Sequence, residues 1–149
     1  MKQYDHVFGV DVSKKTVDIT HVINQQFTHR QFTNDTQGME QLTCWFNELN
    51  LEFNKVLFCM EATGLYCFTL THFLASHSID TWIEHAAQIK KSTALARGKN
   101  DKVDSHRIAV YATKNLDRLR LWKPANAALK SSFVIYTLTI VSETMTFVS

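Results

Sequence analysis

The apolar positions in the first half of the chain follow the two-residue period of β-strands. Residues 7–12 are apolar on both faces except at Asp11, which predicts a central strand. Residues 16–23 and 27–33 have interleaved polar positions and predict two further strands of an antiparallel meander. Residues 56–60 predict a second buried strand that runs straight into Glu61, and residues 79–83 predict a short fifth strand.

Between and after these strands the period changes to that of a helix. The spacing of Leu42, Trp45, Phe46 and Leu49 predicts an amphipathic helix over residues 35–50. A second helix is predicted over residues 65–76, and its inward positions are Tyr66, Leu70, Phe73 and Leu74. Helical patterns also cover residues 86–96 and 102–116.

This order of elements predicts an α/β fold with a mixed sheet of about five strands flanked by helices. The first and fourth strands are the most apolar, so we expect them to be central and adjacent. The order matches that of a ribonuclease H-like sheet.

Composition supports one globular unit in a reducing compartment. The chain has 149 residues, of which 45% are hydrophobic, enough for a core that needs no disulfide or structural metal. Its three cysteines lack C-x-x-C spacing, so neither a disulfide framework nor a zinc site is indicated. No apolar run reaches the roughly 20 residues that span a bilayer. We therefore expect a cytoplasmic protein without a membrane segment.

Charge is distributed unevenly along the chain. Residues 1–84 contain 5 Lys and Arg against 10 Asp and Glu, whereas residues 85–130 contain 11 against 3. A basic stretch of this density is typical of contacts with phosphates, although it is equally typical of a solvated helix face. The candidate nucleic-acid contacts are Lys14, Lys15, Lys90, Lys91, Arg97, Lys99, Lys102 and Arg107.

Four carboxylates stand in positions that are unusual for surface acids. Asp11 and Glu61 each end an apolar strand, so adjacent strands would bring both to one sheet edge, where α/β sheets place ligands. Asp101 and Asp104 lie at i and i+3 on the first turn of the last helix. Such oxygen ligands suit Mg²⁺ or Mn²⁺, as in two-metal phosphoryl transfer. Taken singly, each acid could instead be a helix cap, a helix N-terminal charge or a turn residue.

Three segments resemble the signatures of the DEDD insertion-sequence transposases, a family that includes a pilin-gene-inverting recombinase. They are residues 8–18, 60–66 and 99–109, in the family's order and spacing. The resemblance implies a RuvC-like domain over residues 4–125, with Asp11, Glu61, Asp101 and Asp104 as its acidic tetrad. It also implies divalent-metal cleavage and joining of DNA, a structured guide RNA, and a homo-oligomer in the full-length proteins.

The chain also departs from that pattern. Asn100 and Ser105 replace residues expected to be Thr and Ala, while all four carboxylates are kept. Residues 126–149 form an apolar, β-prone tail where the resemblance implies a basic helical region and then a domain with a serine nucleophile. We therefore expect a truncated copy that folds and binds metal but cannot complete transposition alone.

Two other functions stay open on the sequence. A non-catalytic remnant would bind DNA or RNA through residues 85–130, and its binding would be salt-sensitive but independent of Asp11 and Glu61. An ATPase of the same superfold also begins with a strand, an Asp and a lysine-bearing hairpin, but it needs a second, adenosine-binding domain.

Overall fold

The structure, a computed structural model, describes residues 2–62, 64–92 and 101–123, and only the backbone of residues 101–103. In chain order the elements are β1 (His6–Val12), β2 (Thr16–Ile23), β3 (Gln26–Thr33), α1 (Thr36–Leu49), β4 (Val56–Glu61), α2 (Phe68–Ser76), β5 (Asp80–Glu84), α3 (Ala86–Ser92) and α4 (Asp101–Lys114). Short 3-10 turns lie at Phe53–Lys55, Gly64–Cys67 and Leu116–Arg118.

Within the described residues, five strands form one mixed sheet in the order β3-β2-β1-β4-β5. The hairpins β1–β2 and β2–β3 are antiparallel, whereas β1–β4 and β4–β5 are parallel. The predicted placement of the first and fourth strands is confirmed, because β1 and β4 are neighbours at the centre. Their apolar sequences follow from burial on both faces.

Each face of the sheet carries its own core. Alternate residues of β1, such as Phe8 and Val10, pack in one cluster with Trp45 and Phe46 of α1 and Leu70 of α2. The other face of the sheet packs against α4, and the shared cluster there contains Val7, Leu57, Cys59, Trp82, Ile108, Tyr111 and Ala112. The helices thus cover both faces and leave the strand ends accessible.

Gly9 explains how closely α4 approaches the sheet. A Cβ atom at Gly9 would overlap the backbone of Ala109 and the carbonyl oxygen of Ser105. Only glycine allows the helix backbone to rest directly on β1 at this point. This contact fixes the height of α4 above the central strand.

The prediction for the start of the second helix is wrong. Residues 64–67 form a 3-10 turn before α2 begins at Phe68, and Tyr66 is 47% exposed instead of facing inward. Leu70 and Leu74 are buried as predicted. The predicted helical residues 93–96 and the tail 126–149 lie outside the described residues. None of the helices in the described part of the chain is long and apolar enough to cross a membrane.

Candidate active site

Asp11 and Glu61 lie side by side at the C-terminal edge of the two central strands. The parallel register pairs Gly9 with Cys59 and Val10 with Met60, so the next position on each strand is Asp11 and Glu61. Neighbouring strands are about 4.8 Å apart, and side chains in register share a face. Both residues are half-buried. Two carboxylates on neighbouring strands at one sheet edge form a place where a bound cation would be favourable.

The helix α4 directs its N-terminal end toward the same edge. Ser105 and Ala109 lie over Gly9, whereas Ala112, one turn farther on, shares a cluster with Val7. The helix α4 therefore runs antiparallel to β1. Its N-terminal end, which contains Asp104, lies toward the Asp11 end of the strand. The predicted convergence of Asp11, Glu61 and the start of α4 at one edge is consistent with this packing. The side chain of Asp101 lies outside the described residues.

Asp104 is engaged by an arginine of its own helix. Arg107 Nη2 donates to Asp104 Oδ1 over 3.0 Å, and the two side chains are 19% and 26% exposed. Arg107, a predicted phosphate contact, thus serves in this structure as the counter-charge of Asp104, a member of the predicted tetrad. Among the side chains that the structure describes, no group of three or more His, Cys, Asp or Glu could hold a metal ion.

Sequence analysis missed two acids that extend the row of carboxylates. Asp18 on β2 is the Cα partner of Asp11, and Glu84 on β5 is the Cα partner of Glu61. Each of four neighbouring strands therefore contributes one acid at this level of the sheet. For Asp18, the sequence did contain a signal: an acid between two apolar residues, Val17 and Ile19, both of which are buried.

Both additional acids already have hydrogen-bond donors. Asp18 Oδ1 lies 2.9 Å from His29 Nε2 and accepts from Gln31 Nε2 over 3.2 Å. Glu84 Oε2 accepts a hydrogen bond from the hydroxyl group of Tyr111 over 2.8 Å. Burial, together with this bond and the Glu84 charge, raises the pKa of Tyr111 to about 12, so the tyrosine stays a donor. These acids flank the Asp11 and Glu61 pair.

Ser105 forms a buried polar contact beneath the site. Its hydroxyl oxygen lies 2.7 Å from Oγ1 of Thr20, and both residues are buried. Thr20 is in turn the Cα partner of Gly9. The departure from the family pattern at Ser105 is therefore accommodated by a hydroxyl partner on the neighbouring strand.

The other predicted basic contacts are distributed over two places. Lys14 and Lys15 are exposed in the turn between β1 and β2, directly after the Asp11 edge. Lys90 and Lys91 are exposed at the end of α3. Arg97 and Lys99 lie outside the described residues, as does the side chain of Lys102.

Comparison with known proteins identifies the family to which the chain belongs. The family model of the IS110-type DEDD transposases, described as transposase, matches residues 8–137. The chain belongs to this transposase family. The match includes all four acids of the predicted tetrad, and it favours the transposase interpretation over the ATPase alternative.

Two relatives agree with this membership, and one solved structure agrees with the fold. The chain is 31% identical over 119 residues to the pilin gene-inverting proteins of Moraxella bovis and Moraxella lacunata. These matches cover 78% of this chain and 36% of each relative, so the chain spans about a third of their length. The RuvC of T. thermophilus in complex with a Holliday junction substrate matches with a TM-score of 0.55 at 9% identity. That match covers 80% of this chain and 100% of the RuvC chain, and it confirms the predicted ribonuclease H-like fold.

Proposed function

We propose that this chain carries the metal-dependent catalytic part of a transposase, which cleaves and joins DNA strands during movement of an insertion sequence. The observation that supports the proposal is the β1–β4 register, which makes Asp11 and Glu61 the next positions on two neighbouring strands, together with the packing of α4 over Gly9. The proposed catalytic residues are Asp11, Glu61, Asp101 and Asp104.

The chemistry of the donors fits Mg²⁺ or Mn²⁺. Asp11 and Glu61 offer only carboxylate oxygens, which hard divalent cations prefer, and their mutual repulsion is relieved by a cation. A bound ion would polarise a phosphodiester and supply an activated oxygen nucleophile. Asp11 and Glu61 would hold it, and Asp104 would join them once released from Arg107.

DNA is the proposed partner. The matched relatives are named for inverting a gene, and the matched RuvC structure holds a Holliday junction substrate. In this chain, Lys14, Lys15, Lys90 and Lys91 are exposed, and the basic residues Arg97, Lys99 and Lys102 precede or begin α4. A structured guide RNA and a homo-oligomer are proposed for the full-length members of the family from the resemblance alone.

Cleavage of a branched DNA substrate tests this function. The 149-residue chain is incubated with a labelled four-way junction and with the matching linear duplex, in Mg²⁺, in Mn²⁺ or in EDTA. We expect metal-dependent nicking of the junction that is lost in Asp11→Asn and Glu61→Gln and kept in Glu40→Gln, an exposed acid of α1. Metal-independent nicking, or nicking that survives in both site variants, would contradict the proposal.

One observation favours a second candidate, a nucleic-acid-binding protein without catalysis. The described side chains provide no three-residue metal group, and Asp104 is held by Arg107. In that case junction binding would weaken with salt and would be identical in the parent chain and in Asp11→Asn. The nicking assay and this binding assay together separate the two candidates.

A further inference from the structure

Three large apolar side chains are exposed next to the candidate active site. Leu65, Tyr66 and Phe68, here termed the apolar patch, lie in the turn and first helical residue that follow Glu61. Their exposed fractions are 87%, 47% and 36%. Three large exposed apolar side chains within four residues make this turn a candidate binding surface.

The patch is fixed to the site by hydrogen bonds. Asn34 Nδ2 donates to the carbonyl oxygen of Tyr66 over 2.9 Å and to the carbonyl oxygen of Ser13 over 2.8 Å. Cys67, buried between the patch residues, donates from Sγ to the carbonyl oxygen of Glu61 over 3.6 Å. The patch, the β1–β2 turn and the end of β4 are therefore connected through two side chains.

Positive charge adjoins the patch on the side of that turn. Lys14 and Lys15 directly follow Ser13 and are exposed, and neither forms a salt bridge with another described residue. Exposed lysines beside an exposed aromatic ring are the combination that binds single-stranded nucleic acid, where phosphates pair with cations and bases stack on rings. The ring of Phe68 packs on His72 with centroids 3.8 Å apart, so Tyr66 is the ring that offers a face.

We propose that the apolar patch binds an unpaired DNA base beside the carboxylate edge, with Tyr66 stacking on the base, Leu65 packing against it, and Lys14 and Lys15 contacting the flanking phosphates. The inference rests on the proposed function, since it takes DNA as the substrate. A fully paired duplex keeps its bases stacked and cannot place one on the patch. The patch would therefore select branched or unpaired DNA.

Binding of two matched DNA ligands tests the proposal. One is a duplex with an unpaired 2-aminopurine in its centre, and the other is the fully paired duplex of the same length. The intact 149-residue chain is titrated with each in Ca²⁺, a divalent ion chosen to bind carboxylates without supporting cleavage. Fluorescence anisotropy gives the affinity, and 2-aminopurine emission reports stacking of the unpaired base.

We expect the parent chain to prefer the unpaired ligand and to quench 2-aminopurine. Tyr66→Ala should weaken that binding by between about 5-fold and 100-fold and abolish the quenching. Tyr66→Phe keeps the ring and should retain both properties. Phe27→Ala is the matched control, because Phe27 is 43% exposed on β3, away from the patch.

Each other outcome overturns the inference. If Tyr66→Ala binds and quenches as the parent does while Asp11→Asn has lost nicking, the patch does not bind a base, and the proposed function stands. If the parent shows no preference for the unpaired ligand, the patch is not selective for bases. If Tyr66→Ala changes only the oligomeric state, measured by light scattering, the patch is a contact between copies. Failure of the parent to bind either DNA would contradict the proposed function itself.

Discussion

Arg107 and Asp104 form an ion pair at the N-terminal end of α4, with Nη2 and Oδ1 3.0 Å apart. The arginine pairs with a carboxylate of the predicted metal site. Under the proposed function, a divalent cation and Arg107 would compete for Asp104, and the arginine would balance the charge of that carboxylate in the metal-free site.

Arg107→Gln tests this competition. Without metal, the variant should lose about 1–2 kcal/mol of unfolding free energy, because the half-buried Asp104 loses a charged hydrogen-bond donor. Added Mn²⁺ should raise the melting temperature of the variant by more degrees than it raises that of the parent, since the Asp104 carboxylate is then available to the metal. Thermal melts in EDTA and in Mn²⁺ measure both effects.

Arg30→Gln is the control for that prediction. Arg30 also pairs with a carboxylate, Glu48, over 3.2 Å, but this pair is exposed, and Arg30 lies over the ring of Trp45, on the face of the sheet opposite α4. Its substitution should leave the response to Mn²⁺ unchanged. An Arg107→Gln response equal to that of the parent would show that the arginine does not compete with metal.

Gly9→Ala should be strongly destabilising, because its Cβ would overlap the backbone of α4 and not a flexible side chain. We expect a loss of about 3 kcal/mol or more, or a chain that does not fold. Gly64→Ala is the comparison: its φ is +69°, nothing lies within 4 Å, and backbone strain should cost only about 1–2 kcal/mol. Urea denaturation measures both, and equal losses would contradict the close approach of α4.

The hydroxyl pair of Thr20 and Ser105 should behave as a coupled unit. Ser105→Ala alone leaves the buried Thr20 hydroxyl without its partner and should cost about 1–3 kcal/mol. Replacing both, with Thr20→Val and Ser105→Ala, should cost less than the two single losses added together. A double-mutant cycle of unfolding free energies measures the coupling, and additive losses would show that the hydroxyls do not interact.

Acid should destabilise the protein partly through His21. Burial and the neighbouring His6 lower the pKa of His21 to about 4. Its unfolded-state pKa is about 6.5, so the unfolded chain takes up the proton first, and stability is lost as pH falls from about 6.5 toward about 4. The contribution is on the order of 2–3 kcal/mol.

His21→Phe should remove that part of the pH dependence. The ring of His21 stacks on Phe8 and contacts Trp45, so a phenyl ring keeps these contacts and loses only the 2.9 Å contact between His21 Nε2 and His6 Nδ1. Unfolding free energies are compared at neutral pH and near pH 4, with His85→Phe, at an exposed position, as control. If the dependence of unfolding free energy on pH were unchanged in His21→Phe and reduced in His85→Phe, His21 would not be the source of the acid sensitivity.

The central strands, and the strand ends at which Asp11 and Glu61 lie, followed from sequence because they depend on local pattern, whereas the four-acid tetrad stays a prediction. Apolar runs ending in Asp11 and Glu61 predict both the strand ends and, with β1 next to β4, the shared edge. The 3-10 turn at Tyr66 was missed because the helical spacing of apolar residues in α2 extends backward through residues 65 and 66. The structure exposes these two side chains instead of burying them. Asp18 and Glu84 were missed because their importance comes from cross-strand register, which no local pattern contains. The role of Gly9 likewise depends on a helix about 100 residues away in sequence.

Thermal unfolding with and without metal tests most directly whether the carboxylates form a site. A ligand that binds only the native state stabilises it, by about 2.7 kcal/mol at a hundredfold excess over its dissociation constant. The account predicts that Mg²⁺ or Mn²⁺ raises the melting temperature of the parent and of Glu40→Gln by several degrees, and leaves Asp11→Asn and Glu61→Gln unchanged. A cooperative melt of the parent that does not respond to either metal, or an undiminished rise in both site variants, would contradict it.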